Sequence, residues 1–325
     1  MSRTSIPHFD DLPKVPGQPQ GNSWGLWGQE DQLGTLNKIT PESRKRAAQE
    51  VKAGISVSLD LPLDAFDYVI ANRRLFKQTV IDFKKMNMGV GHDDELQFNT
   101  QSSSQWDGLT HCGLQEQELY YNGLKHEDIM KNRDGRNGIH RWVEAGGIVG
   151  RGVLIDYVRW RQETGQSPVP ADSPYSITLS ELTAVANHQK VEFQPGDILL
   201  LRGGFTLWYN AASPEERKRK LDKTAFIGVE RSMEMARFLW NQHFAAVATD
   251  SIGFEQCPVP FGQKGAVVLH EWILAHWGMP LGELWNLEGL SELCKKQNQW
   301  SFLFTSAPLY VRGGVGSPPN AIALL

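Results

Sequence analysis

Apolar and polar positions along the chain switch repeatedly between helical spacing and short unbroken apolar runs. Thr40 is a good N-cap, Pro41 suits a first helical turn and Gly54 a stop, so a helix is predicted over 41–53. Residues 55–61, ISVSLDL, alternate as a half-buried strand does. GVLIDY (152–157), DILLLRGG (197–204) and FAAVATD (244–250) are apolar runs of the length of buried strands, and SFLFTSAPLYV (301–311) predicts a final one. Between them, Thr178 and Glu181 form a capping box for a helix reaching about His188. Phe226, Val229, Met233, Ala236, Leu239 and Trp240 recur at helical spacing within 224–242, and Gly278 ends a predicted helix over 265–277. Strands alternating with helices read as an α/β chain.

Domain organisation follows from what lies outside this pattern. Residues 1–22 carry Pro7, Pro13, Pro16 and Pro19 and read as an extended arm of the kind that wraps a neighbouring subunit. Residues 23–325 read as one large domain, without repeats or a linker. Over 64–99 the pattern blurs into an excursion that could cover a site, with Arg73, Arg74, His92, Asp93 and Asp94 as polar candidates; plain solvation is the other reading.

Net charge is -4 and the pI is 6.2, with basic residues scattered apart from ERKRK at 216–220. This argues against a nucleic-acid partner and assigns the basic run to a solvated helix face. Cys112, Cys257 and Cys294 are too few and too far apart for a disulfide framework. With no apolar run of membrane-spanning length, the expectation is a soluble cytoplasmic protein without a membrane partner. The arm and the tryptophans in polar loops predict a homodimer or homotetramer acting on a small molecule.

Candidate chemistry concentrates at 101–123, QSSSQWDGLTHCGLQEQELYYNG. Asp107 and His111 stand four residues apart among small residues, an arrangement that suits either a catalytic site or a self-satisfied turn. Nucleophile-elbow, P-loop, H-E-x-x-H and G-x-G-x-x-G patterns are missing, which weakens serine-hydrolase and dinucleotide readings. Cys112 reads as a small buried cysteine, since on an extended segment it would point away from His111. His270 lies on the helical face of Val267, Leu274 and Trp277 and alone would pass for a core histidine; Glu283 alone is unremarkable.

Taken together, WGQEDQLGTLN, SSQWDGLTH, YYNG, GVLIDY, GDILLLRGG, AAVATD and TSAPLYVRGGVGSPPNAIA span nearly the whole chain. In these stretches it resembles the cyclase family of metal-dependent hydrolases, which includes bacterial kynurenine formamidase and isatin hydrolase, and more closely the long form found in fungi and actinobacteria. The resemblance implies a swivelling β/β/α fold in one large domain, assembled as dimers or tetramers. The family's metal motif is His-x-Gly-Thr-His-x-Asp-x-Pro-x-His with a later His and Glu. Here its first His becomes Asp107, Thr110 and His111 are kept, and Gly113, Gln115 and Gln117 replace the Asp, Pro and last His; the later pair resembles His270 and Glu283.

The retained Asp107, His111, His270 and Glu283 could hold a divalent cation, zinc or manganese, or act without metal as acids and bases. The expected function is hydrolysis of an amide, ester or lactone, or lactone ring closure in small-molecule biosynthesis, by carboxylate and histidine acid-base catalysis. Glu283 acting as the nucleophile is a variant of that mechanism. A metal-dependent amidohydrolase and a binding protein without catalysis are the alternatives. Trp106, Tyr121 and Arg202 are expected to contact substrate.

Overall fold

A computed structural model describes residues 6–67, 73–131 and 134–325. Residues 1–5 of the arm and 68–72 of the 64–99 excursion therefore lie outside the described residues. One mixed sheet organises the rest. Its strands are β1 (Ser56–Ser58), β2 (Gln105–Asp107), β3 (Ile148–Asp156), β4 (Ile198–Arg202), β5 (Ala246–Thr249), β6 (Leu281–Glu283), β7 (Ser301–Ser306), β8 (Gly316–Ser317) and β9 (Ala321–Leu324). Their spatial order is β1-β9-β7-β3-β4-β5-β6-β2-β8. The middle four, β3 to β6, run parallel, and the flanking strands pair antiparallel.

The parallel strands β3, β4 and β5 each carry an apolar run because both their faces are covered. Successive residues point to opposite sides, so Val153, Ile155, Leu199, Leu201 and Val247 enter one core. Leu154, Ile198, Leu200, Ala246 and Ala248 enter the other. Helices Leu179–Gln189 and Met233–Asn241 cover the first face, and the tryptophans 106, 142 and 285 with helix Glu288–Gln297 fill the second. The α/β class and the single large domain with a large curled sheet agree with the sequence reading.

Several elements are shorter than their patterns predict. The first helix keeps its Thr40 cap but spans only Pro41–Ala48, because Ala53 and Ile55 donate their N–H groups to the Leu325 carbonyl and pull the chain into the sheet. Helix Met233–Asn241 begins late: Ser232 caps it, and Gly228–Val229 are taken as a strand beside Ser176–Ile177. The helix predicted over 265–277 is a π-helical segment, Glu271–His276, and Gly265 sits at φ +78° in a turn before it.

From residue 6 onward the arm docks on its own chain. Phe9 is buried against Trp272 and Trp277, and the Trp240 indole donates to the Pro7 carbonyl. Within the excursion, Lys77–Asp82 and His92–Gln97 form a hairpin, so His92, Asp93 and Asp94 are exposed, while Arg73 donates to the Gln101 carbonyl. The ERKRK run falls on helix Pro214–Leu221, whose residues are largely exposed. No helix among the described residues is long and apolar enough to cross a membrane.

Candidate active site

Strands β2 and β6 lie side by side, antiparallel, with Leu281 opposite Asp107 and Glu283 opposite Gln105. Opposed residues share a face, so the Asp107 and Glu283 carboxylates emerge on the same side of the sheet. The start of the π-helical segment lowers His270 onto them. One ligand atom each from Asp107, His270 and Glu283 lie within 4.8 Å of one another, and all three residues are buried.

Two carboxylates grip the His270 imidazole. Glu283 Oε1 is 3.1 Å from Nε2, and Glu255 Oε1 is 2.7 Å from Nδ1. Glu255 is fully buried and also accepts from the backbone N–H groups of Leu269 and His270. It thereby fixes both the ring and the place where the helical segment begins. Burial opposes a charge on His270, but the hydrogen bonds to Glu255 and Glu283 prevail and hold it protonated well above the ordinary imidazole range. The second oxygen of Glu283 accepts from Gln105 Nε2 at 3.0 Å.

Asp107 differs: both its oxygens are buried and meet no hydrogen-bond donor among the described residues. Burial raises its pKa; His111 opposes this and Glu283 reinforces it. His111 Nε2 stands 3.8 Å from Oδ1, an ion-pair distance too long for a hydrogen bond. At that distance Asp107 does not fix the tautomer of His111 by a hydrogen bond, whereas Glu255 does so for His270. Glu255 lay within IGFEQCPVP, where the only signal was a single acid in an otherwise uncharged run.

Beside the cluster, joined to it through His111 and Phe261, lies a cleft of about 460 Å³ lined by these two residues and by Cys112, Tyr120 and His126 among others. His111 and Cys112 share this wall because the segment turns, with His111 N–H donating to the Gly108 carbonyl, rather than running extended. Burial pushes the Cys112 thiol up to about 12, so it stays protonated. Tyr120 stacks on His126 and bonds its Nδ1 at 2.9 Å, while the ring of Phe261, 47% exposed, meets His270 edge-on at 5.7 Å.

The three expected substrate contacts lie elsewhere. Trp106 neighbours Asp107 on an extended strand and so points to the opposite face, fully buried against Trp285, with its indole donating to Ser306 Oγ. Tyr121 is fully buried with its hydroxyl on Asp31; its neighbour Tyr120 lines the cleft instead. All three guanidinium nitrogens of Arg202 are committed to Asp156 and Glu288, a structural ion-pair network. At the positions that depart from the family motif, a Cβ on Gly113 would come within 3.0 Å of the Tyr120 ring and 2.9 Å of the Leu119 carbonyl. Gln117 is exposed and bonded to Gln18.

A family model described as "Putative cyclase" matches residues 22–256. The chain belongs to the cyclase family. A crystal structure described as a novel cyclase matches with a TM-score of 0.81 at 31% identity, covering 94% of this chain and 99% of the other. Two isatin hydrolases share the cyclase-family fold. That from Labrenzia aggregata has a TM-score of 0.56 at 16% identity, covering 85% of this chain and 94% of its own. The enzyme from Ralstonia solanacearum has 0.59 at 14%, covering 83% and 91%. No curated protein matches this cyclase-family chain.

Proposed function

We propose that the protein is an enzyme of acyl chemistry, hydrolysing an amide, ester or lactone of a small molecule or closing such a ring. The observation that carries this reading is the His270 imidazole clamped between Glu255 and Glu283 and touched by Phe261, which lines an open cleft. His111, with 26% of its side chain exposed, is the most accessible of the four residues and takes the proton from the attacking water or substrate hydroxyl. The Asp107 carboxylate, 3.8 Å away, stabilises the imidazolium that results. His270, kept protonated, delivers a proton to the departing oxygen or nitrogen, and Glu283 shares that proton from the other side. The same groups used in the opposite order serve ring closure.

The residues also fit a divalent cation such as zinc or manganese. A buried carboxylate with no donor is costly unless protonated or matched by positive charge, and Asp107 is in that position. Asp107, His270 and Glu283 would hold the ion once it displaced the Nε2 proton of His270, with Glu255 behind His270 in the place where metal-binding imidazoles usually find a carboxylate. When bound it would act as a Lewis acid toward a carbonyl. The purified protein should turn over a member of a panel of aryl and alkyl amides, esters and lactones. His111→Ala and Glu283→Gln should abolish that turnover with circular dichroism unchanged. Activity after exhaustive chelation assigns the chemistry to the side chains alone; activity restored only by zinc or manganese assigns it to the metal-dependent form. Tight ligand binding without turnover of any panel member would sink the enzymatic reading in favour of a binding protein.

A further inference from the structure

A second cavity, of about 230 Å³, adjoins the cleft, and Leu114 and Gln115 line both. Glu271 and His276 reach it from the π-helical segment, and Glu116 from the shared wall. Residues five apart stand about 140° apart around an α-helix. The i to i+5 bonding of a π-helix, seen here as the Trp277 N–H on the Trp272 carbonyl, sets them one turn apart instead. The local winding thus brings a carboxylate and an imidazole to one cavity.

The His276 ring enters with its proton fixed. Asn22 Oδ1 accepts from the Trp24 N–H at 2.8 Å, so the amide turns Nδ2 toward His276 Nδ1, 2.9 Å away. Nδ1 is therefore the acceptor, and the proton sits on Nε2. Burial, which lowers the pKa to about 3, keeps the ring neutral. Only 6% of the residue is exposed, and the Trp272 ring packs on it at 4.4 Å between centroids. Nε2–H finds no acceptor among the described residues, yet it is not sealed in protein, and the residue lines the cavity. A buried donor of this kind needs an acceptor from whatever fills the space.

Charge and volume select the ligand. Among the described residues the lining holds two carboxylates, Glu116 and Glu271, and no lysine or arginine. An anion would accept from Nε2–H but face both carboxylates, and an ammonium would suit the carboxylates but turn a donor toward a donor. A hydroxyl group meets both demands, accepting from the imidazole and donating to Glu271. At about 30 Å³ per water the space equals about seven waters, room for a small polyol.

We propose that this cavity binds a neutral polyhydroxy compound, a small polyol or monosaccharide, between His276 and Glu271. The site is separate from the catalytic cleft and does not depend on the acyl chemistry assigned there. Glycerol, D-glucose and myo-inositol are the probes, titrated into the full chain while long-range proton–nitrogen NMR follows the imidazole nitrogens. At least one should shift His276 Nε2 along a saturating curve, which separates binding from the general solvent effect of polyols. Glu271→Ala, at a half-buried position, should weaken that binding about tenfold with circular dichroism unchanged, the worth of one hydrogen bond to a charged group. His276→Leu should abolish it when read by calorimetry, and His276→Gln, which keeps an N–H donor, should restore part of it. Acetate and methylammonium should not saturate. The proposal is overturned if none of the three polyols gives a saturating shift in the hundreds of millimolar, or if acetate or methylammonium binds in their place. Polyol binding that ignores both Glu271→Ala and His276→Leu overturns it as well, since the ligand then sits elsewhere.

Discussion

Glu255→Gln isolates the residue on which the cluster leans. The Glu255 carboxylate accepts three N–H groups: Leu269 N at 2.9 Å, His270 N at 2.7 Å and His270 Nδ1 at 2.7 Å. Glutamine keeps one oxygen, but its amide nitrogen can only donate, so at least one buried N–H loses its acceptor and another meets a donor. Stranding a buried donor costs about 1–3 kcal/mol, and the bond to a charged imidazole stands at the upper end, giving a loss of about 2–4 kcal/mol. For a chain of this size that lowers the melting temperature by on the order of 3–6 °C. Catalysis should fall further than stability suggests, because His270 loses its orienting partner; a drop of about 10–100-fold is typical for such residues. The loss should fall on kcat with KM nearly unchanged, since Glu255 lies behind the imidazole and away from the cleft. Steady-state kinetics and thermal melts on the same preparation read both quantities. Wild-type kcat together with an unshifted melt would refute the clamp.

Asp107→Asn removes a buried charge that has no donor, so the metal-free variant should be as stable as the wild type or more so. It should also erase the melting shift that zinc or manganese produces, which corresponds to about 2.7 kcal/mol at a hundred times Kd; a shift equal to that of the wild type contradicts the proposed ligand set. Trp106→Ala should cost about 3–5 kcal/mol in urea unfolding through the cavity left between Trp142, Trp285 and Phe304, whereas Tyr120→Phe should move KM with little effect on stability. Burial lowers the pKa of His276 to about 3, and Asn22 Nδ2 donates to its Nδ1, which requires the neutral ring. The unfolded chain takes up this proton near pH 6.5 and the folded chain only near 3, so stability is full above 6.5 and falls with pH between those values. The wild type should thus lose about 2 kcal/mol from this residue between pH 7 and 5, a loss that His276→Gln abolishes in chemical denaturation at the two pH values.

The central strands were legible because parallel strands covered on both faces leave one sequence signal, an apolar run, and β3, β4 and β5 each carry it. What was not legible was fixed by remote parts of the chain. The first helix stops where Leu325 captures the backbone of Ala53 and Ile55, and nothing within 41–53 encodes that event. The π-helical segment begins where Glu255, fourteen residues upstream of Leu269, accepts the first N–H groups. Helical spacing over 265–277 predicts apolar positions correctly and the start incorrectly, since spacing carries no information about a capping group from another loop.

Strand parity separates what the sequence revealed of the site from what it concealed. Alternation fails at His111 and Cys112, where the backbone turns and both side chains reach the same cleft. It holds at Trp106 and Asp107, where the backbone is extended and the two diverge, one into the core and the other toward His270. The same divergence places Tyr121 on Asp31 and Tyr120 on His126. Once β2 is known to be a strand, Asp107 on the cleft side forces Trp106 into the second core and Gln105 back beside Glu283, where its amide donates. Glu255 escapes any such rule. Its role rests on a loop returning to cap a helical segment, and the one trace this leaves in the sequence is an acid with no solvent-facing reason to stand between Phe254 and Cys257, both of which are buried. A buried acid of that kind must find donors, and here it finds the backbone and the imidazole of the residue that carries the proposed chemistry.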